Sequence, residues 1–326
     1  MSRSFVHVHL VALRYFGETV RTGSMRQAAE QLNVAASAVN RQILKLEDQL
    51  QCKLFDRRAE GVRLTGAGEV LYNYILRLDR DLERAVSQID DLRGLRRGHI
   101  RIACEDGIGR DFLPPVLADF HAEYPGITYT IEITSALDML AEVAEGEADI
   151  GIAMAPPRRA DVIVHAQALM PVGVIMRPDH RLARLGSIRL RDLAGEKLVE
   201  ATDGTGGETG FFAQLSHGLP RSRFIETNAP DFITTLVQAG LGVGVRTPVG
   251  IMTEIEMGRI AFLPIMDKVT APTLTVVGKP HRTPSISGAV LIEMLKQRLP
   301  AFQQRAQAMA AVGAGNAAAE AVGVEA

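Results

Sequence analysis

The 326-residue chain has only two cysteines, Cys52 and Cys104, far apart in sequence. That excludes a disulfide framework and fits a reducing compartment. Free thiols, buried or half-buried, are the expected reading, because neither cysteine has a resolving partner nearby in sequence. Long apolar runs are missing as well. No stretch could span a bilayer, and Ser2-Arg3-Ser4-Phe5-Val6-His7 lacks the apolar core of a signal peptide, so a cytoplasmic location is expected. His7 and His9 have no Cys or carboxylate at ligand spacing. Neither a metal nor a cofactor is expected.

Enzyme signatures are equally thin. There is no Gly-x-Ser-x-Gly elbow, and the glycine-rich run from Asp203 to Gly210 lacks the Lys that a phosphate-binding loop places beside its Ser or Thr. No catalytic residue is expected. A strong charge of one sign is also missing, since the formal net charge is −2, and so no polybasic tail can be responsible for binding nucleic acid. The charge is nevertheless uneven. Residues 1–65 hold ten Lys and Arg against six Asp and Glu, and the remainder holds 26 against 32. A locally basic head on a mildly acidic body suits DNA contact through one domain, and the length accommodates two or three domains.

Within the basic head, Ala28, Ala29 and Leu32 share one face of a first helix, with Ser24 as its N-cap after the breaker Gly23. Asn33-Val34 supplies a turn. A second stripe, Val39, Ile43, Leu46 and Leu50, then recurs at helical spacing and leaves Ser37, Asn40, Arg41 and Lys45 facing outward. Two short helices joined this way can lay the second one in a DNA major groove. There Asn pairs with adenine and Arg with guanine, while Ser and Lys hold phosphates. Leu54 to Arg58 and Val62 to Thr65 read as extended pieces around Glu60-Gly61, a hairpin wing. Its Arg57, Arg58 and Thr65 join the expected DNA-binding residues.

Thr65-Gly66-Ala67-Gly68 caps a long helix in which Leu71, Ile75, Leu78, Leu82, Ala85, Ile89 and Leu92 alternate four and three residues apart. A heptad seam sustained over about three heptads, with charges on the other positions, reads as a helix that pairs with a second copy of itself.

Taken together, these segments resemble the LysR-type transcriptional regulators: Leu13-x-x-Phe16, Gly23-Ser24-Met25, Ala28-Ala29-x-x-Leu32, Ser37 to Ile43, Leu46-Glu47-x-x-Leu50, Leu54-Phe55-x-Arg57 and Leu64-Thr65-x-x-Gly68. The resemblance runs over nearly the whole chain except its first residues and its C-terminal tail. It departs at Ala36 and Asn40, where the family commonly has Gln and Ser, so the bases read there can differ. What the resemblance implies is an α/β protein with three parts. A winged helix-turn-helix spans residues 8–65, a dimerising linker helix 66–94, and a two-lobed Rossmann-like effector-binding domain 98–300, similar to periplasmic binding proteins. Lobe I would hold about 98–168 and 270–300, and lobe II about 169–269, with the chain crossing twice.

The pattern beyond Gly94 fits that plan. Strands at His99–Cys104, Thr128–Thr134 and Ala148–Met154 alternate with helices at Leu113–Glu123 and Leu137–Glu145, a parallel βαβαβ unit. A second set follows: strands near Val172–Arg177, Lys197–Glu200, Phe224–Thr227 and Val243–Arg246, and helices at Leu190–Leu193 and Asp231–Gln238. Leu274–Val277 and a helix at Ile286–Arg298 return to the first lobe. Residues 306–326 read as a disordered tail.

Ligands of such lobes sit outside the carboxyl ends of the strands. The resemblance points to Gly107, Ile108, Ser135, Thr202 and Thr247 as effector-binding positions. Glu105 and Asp106 disfavour a purely anionic ligand unless Arg110 or Arg246 offsets them, which suggests a small polar or zwitterionic metabolite. The expected partners are double-stranded operator DNA, a small-molecule effector, further copies of the chain as a homodimer or tetramer, and RNA polymerase. An alternative keeps DNA binding but makes it constitutive, with the lobes serving only oligomerisation.

Overall fold

A computed structural model describes residues 8–58, 61–91, 98–201, 223–280 and 285–322. The chain divides into two compact units, Met1–Val86 and Ser87–Ala326.

The first unit contains α1 (Leu10–Thr22), α2 (Met25–Gln31), α3 (Ala36–Leu50), β1 (Phe55–Arg58), β2 (Gly61–Leu64) and most of α4 (Gly66–Asp91). Gly23 ends α1 in the left-handed region, with φ +67°. Ser24 then caps α2, its hydroxyl accepting the Gln27 N–H at 3.4 Å. Asn33, with φ +54°, turns the chain into α3. Ala28 and Ala29 are buried and small enough for the helices to approach closely, and Ala29 packs with fully buried Phe16, Val39, Ile43 and Leu46. Phe16 meets the Phe55 ring at 4.9 Å between centroids. Burying one such ring stabilises by about 1.5–3 kcal/mol.

The wing pairs β1 and β2 antiparallel, Phe55 opposite Leu64 and Arg58 opposite Gly61. It is tied to the α1–α2 turn by Val62, whose N–H donates to the Gly23 carbonyl at 3.1 Å. A side chain at Gly61 would place its Cβ 2.6 Å from that same oxygen, so glycine is required there.

Helix α4 divides the heptad positions. Ile75 is 5% exposed in the core of the first unit, and Leu71 and Leu78 pack against that core. These three seam positions are used within the chain, because the winged domain needs a lid over Phe16, Leu54 and Phe55. What α4 leaves uncovered is Leu82 and Ile89 of the seam, together with Val70, Tyr74 and Val86. Leu92 lies outside the described residues.

The second unit holds two five-stranded mixed sheets among the described residues. The lobe I sheet runs in the order β4 (Ile127–Ile133), β3 (Gly98–Cys104), β5 (Ile150–Met154), β12 (Thr273–Gly278), β6 (Ile163–Leu169). β3 is parallel to β4 and β5, and β12 is antiparallel to β5 and β6. Helices α5 (Asp106–Asp111), α6 (Leu113–Glu123) and α7 (Ala136–Glu145) accompany it. The lobe II sheet runs β11 (Ala261–Pro264), β7 (Gly173–Met176), β10 (Val243–Arg246), β8 (Leu198–Ala201), β9 (Arg223–Thr227), with α8 (Pro230–Gln238) and α9 (Met252–Glu256).

The chain passes between the lobes after β6 and again before β12. The two passages lie side by side: Met170 N–H donates to Pro272 O at 2.8 Å, and Ile265 N–H to Val172 O at 3.2 Å. Two strands escaped the sequence reading. β6 alternates weakly and is an edge, and β11 is only four residues long.

The last helix, α10, is longer than expected, running from Ile286 to Val322. Residues 306–322 are therefore helical rather than a disordered tail, and Ala306 is completely buried. Alanine has the highest helix propensity and orders at little entropic cost, so a segment without an apolar stripe can still continue a helix already rooted in a core.

Candidate DNA-binding and effector sites

Helix α3 presents Ser37, Arg41 and Lys45 as exposed side chains, with Asn40 half-buried between them. The opposite face, Val39, Ile43 and Leu46, is locked in the core, so the polar face cannot rotate inward. Sequence reasoning missed how the wing is fixed beside it. Glu47 is 6% exposed, and its Oε1 accepts the N–H groups of Leu54 at 2.9 Å and Phe55 at 3.4 Å. Its Oε2 accepts from Lys53 Nζ at 2.8 Å. Burial pushes this carboxyl up, but the Lys53 and backbone hydrogen bonds outweigh it and hold the pKa below the ordinary glutamate value. An acid inside an apolar stripe was the available signal. Arg57 and Arg58 are described by their backbone on β1. Thr65 donates its hydroxyl to Lys53 O at 2.7 Å and accepts the Gly68 N–H at 3.1 Å, which makes it the cap of α4.

In the second unit the segment after β3 meets residues 249–252, which follow β10. Glu105, after β3, accepts the Met154 N–H at 2.5 Å. Burial raises its pKa to about 7; the Met154 bond opposes this and neighbouring Asp231 adds to it. Ala155, next along from Met154, has φ +45°, a conformation costing about 1–3 kcal/mol for a residue with a Cβ. Asp111 closes the start of α9, accepting the N–H groups of Gly250 at 2.7 Å and Met252 at 3.2 Å. Gly107 and Gly250 touch backbone to backbone, and a Cβ on Gly250 would lie 2.6 Å from the Gly107 Cα.

Arg246 is 5% exposed and spends all five of its N–H donors inside the protein. Nε donates to Thr247 O, Nη1 to Pro230 O and Thr234 Oγ1, and Nη2 to Asp231 Oδ1 and Val249 O, at distances between 2.8 and 3.2 Å. It therefore staples α8 to the 247–249 segment. Arg110 is paired with Asp106.

A family model described as "LysR substrate binding domain" matches residues 93–300, and one described as "Bacterial regulatory helix-turn-helix protein, lysR family" matches residues 10–69. The chain belongs to the LysR family of transcriptional regulators. It is 30% identical over 267 residues to a RuBisCO operon transcriptional regulator of Allochromatium vinosum, covering 80% of this chain and 86% of that protein. With an uncharacterized HTH-type transcriptional regulator of Bacillus subtilis, YwbI, it shares 27% identity over 290 residues, 88% of this chain and 95% of the other. Among solved structures, a full-length OxyR variant from Pseudomonas aeruginosa aligns with a TM-score of 0.63 at 25% identity, covering 90% of this chain and 95% of that one. CbnR, a LysR family transcriptional regulator, aligns with a TM-score of 0.65 at 18% identity, covering 89% and 98%.

LysR-type regulators join a DNA-binding head to an effector-binding domain, form oligomers, and act on transcription rather than as enzymes. On this LysR frame the expected effector positions separate. Gly107 sits at the contact with Gly250, and Thr247 is buried beside Arg246. Ser135 is exposed and caps α7, donating to Asp138 Oδ2 at 2.7 Å and accepting the Asp138 N–H at 3.2 Å. Ile108 is 1% exposed in the lobe I core, and its N–H is bonded to Glu105 O. Thr202 lies outside the described residues, as does the 203–210 run. Arg246 offers no free donor to offset Glu105, which corrects that expectation. Among the described residues no helix is long and apolar enough to cross a membrane, and no cluster of His, Cys, Asp or Glu is placed to hold a metal.

Proposed function

We propose that this regulator works in the cytoplasm and docks α3 in the major groove of operator DNA, with Arg41 and Asn40 reading bases while Ser37 and Lys45 hold phosphates. The observation that carries this is the exposed cationic face of α3 beside a wing anchored by Glu47. Arg57 and Arg58 on β1 would reach the flanking backbone or minor groove, and Thr65 would contribute mainly by fixing the wing to α4. Two copies pair through the uncovered stripe of α4, Val70, Tyr74, Leu82, Val86 and Ile89, so that two α3 helices address two half-sites. The dimers pair again into tetramers, and RNA polymerase is the machinery they contact.

The effector is a small polar or zwitterionic metabolite held between the lobes, with Gly107, Ser135, Thr202 and Thr247 as its nearest contacts. Glu105 supports that class, because its company is a backbone N–H and a second carboxylate, Asp231, which favours a ligand bringing a positive group. Cys104 is not placed to be a redox input. Cys104 is fully buried, and burial with the neighbouring acids pushes its thiol up to about 12, which leaves almost no thiolate to react.

Footprinting of the purified protein on its own upstream DNA across a metabolite panel tests this reading. RuBisCO promoters join the DNA panel because relatives are named for that operon. A protected span that changes with one metabolite supports the effector reading, whereas unchanging protection supports a constitutive DNA-binding protein.

A further inference from the structure

Helix α10 has 37 residues and is about 55 Å long at 1.5 Å per residue. Its first part belongs to lobe I. Leu291, Leu295, Leu299, Phe302 and Ala306 lie in that lobe's core, and Phe302 stacks on Phe112 with ring centroids 4.9 Å apart. Further along, the helix changes partners. Ala310 packs against the lobe II cluster that contains Ile233, Val237, Ile251 and Ile260. Arg305 sets Nε 3.1 Å and Nη2 2.8 Å from Glu256 Oε1, at the end of α9 in lobe II. Gln303 Nε2 donates to Leu169 O at 3.0 Å, beside the first passage between the lobes.

Neither covalent passage uses this helix. Two adjacent segments bonded to each other form a hinge that permits rotation of one lobe against the other. A helix rooted in one core and attached to the other lobe adds contacts that such a rotation must break. The ion pair among them is a weak one. The Arg305 and Glu256 side chains are 43% and 45% exposed, and pairs that open to solvent contribute little, so this part of the attachment is releasable.

We propose that the end of α10, from Gln303 onward, is a strap between the two lobes, a further tie beside the two passages and the Asp111 bonds to Gly250 and Met252, and that it sets how far they open. For its regulatory meaning this rests on the reading that an effector rearranges the lobes; the strap itself does not. In the closed-strap state the lobes hold one spacing. Releasing Arg305 and Ala310 populates a wider one, and an effector that favours either spacing works against or with the strap.

Spin labels test it in the full-length protein. In a Cys52→Ser background, Glu132→Cys on β4 and Gln238→Cys on α8 report the inter-lobe distance, with labelled chains diluted into unlabelled ones. The expected result is one narrow distribution in the parent. Arg305→Glu, and separately a chain stopped after Gln307, should raise the population of longer distances several-fold. Combining Arg305→Glu with Glu256→Arg should return the narrow distribution, an outcome that loss of folding cannot produce. Identical distributions in the parent, Arg305→Glu and the shortened chain would overturn the strap. Widening in both variants with no response to any metabolite would keep the strap and count against the effector reading.

Discussion

Glu47 of α3 accepts the backbone N–H of Leu54 at 2.9 Å, so the helix proposed to read DNA and the first strand of the wing share one buried carboxylate. Replacing Glu47 with Ala strands a buried N–H, at a cost of about 1–3 kcal/mol, and should loosen the wing more than the helix. Hydrogen exchange at Leu54 and Phe55 should quicken, and operator affinity should fall together with it. The pH dependence has a definite sign. Because the folded pKa of Glu47 is depressed, its stabilisation is present at neutral pH and is lost as pH falls through that folded value, below the usual range near 4.3. Exchange at these two amides that is equally slow in Glu47→Ala would refute the anchoring role.

Arg41 is exposed on a face whose opposite side is fixed in the core. Arg41→Ala should weaken specific operator binding by roughly tenfold or more, the worth of about 1–3 kcal/mol per bidentate base contact, while oligomeric state and non-specific binding at low salt change little. A variant that protects its operator normally would remove α3 Arg41 from the reading surface.

Two apolar residues on α4 should behave oppositely. Ile75 is buried within the chain, and Ile75→Ala should cost about 2–5 kcal/mol of stability without changing the oligomer. Val86 is 50% exposed, and Val86→Glu should leave the first unit folded but shift sedimentation toward monomer. If the two effects were exchanged, the uncovered stripe would not be the pairing surface.

Glu105 makes the effector-binding domain pH-sensitive in the other direction. Its folded pKa is raised to about 7, so its contribution is fully present below the unfolded value near 4.3 and is lost as pH rises through 7. Glu105→Gln keeps an acceptor for the Met154 N–H and should raise Tm at pH 8 while leaving Tm near pH 5 almost unchanged. At about 1.4 kcal/mol per unit, the gain is at most on the order of 4 kcal/mol. A parallel shift at both pH values would show that the charge is not responsible.

The two thiols should differ in kind. Cys52 is exposed and Cys104 buried, so a thiol reagent should modify one group per native chain rapidly and a second only after unfolding. Mass spectrometry of the labelled peptides checks the assignment, and labelling of Cys104 in the native protein would reopen redox sensing.

Much of this was legible in the residues. The α2–α3 arrangement followed from Ser24, Ala28, Val39 and Ile43, whose spacing alone separates a core face from an outer one. The alternation of strands and helices beyond residue 98 was equally plain, because buried parallel strands such as Ile150–Met154 read as short apolar runs between glycines and acids. What escaped depended on contacts distant in sequence. Ile75 looked like a coiled-coil position because periodicity does not say whether a face meets its own chain or another. Arg246 looked like a ligand's partner because its acceptors, spread over the 230–234 and 247–249 segments, are backbone oxygens and side chains that no motif marks. The helical tail was hidden by composition, since alanine and glycine suggest looseness until a preceding core supplies the nucleus.

The contact between Gly107 and Gly250 has a genetic reading. A Cβ on Gly107 would press to 3.2 Å from Val249 O, Gly250 has room for a hydrogen and nothing larger, and both codons are one base from alanine. An alanine at Gly250, strained at φ +86° and only 2.6 Å from its neighbour, would act as a permanent wedge where a metabolite would act as a temporary one. Selection for regulators that ignore their signal should therefore recover alleles at these two glycines.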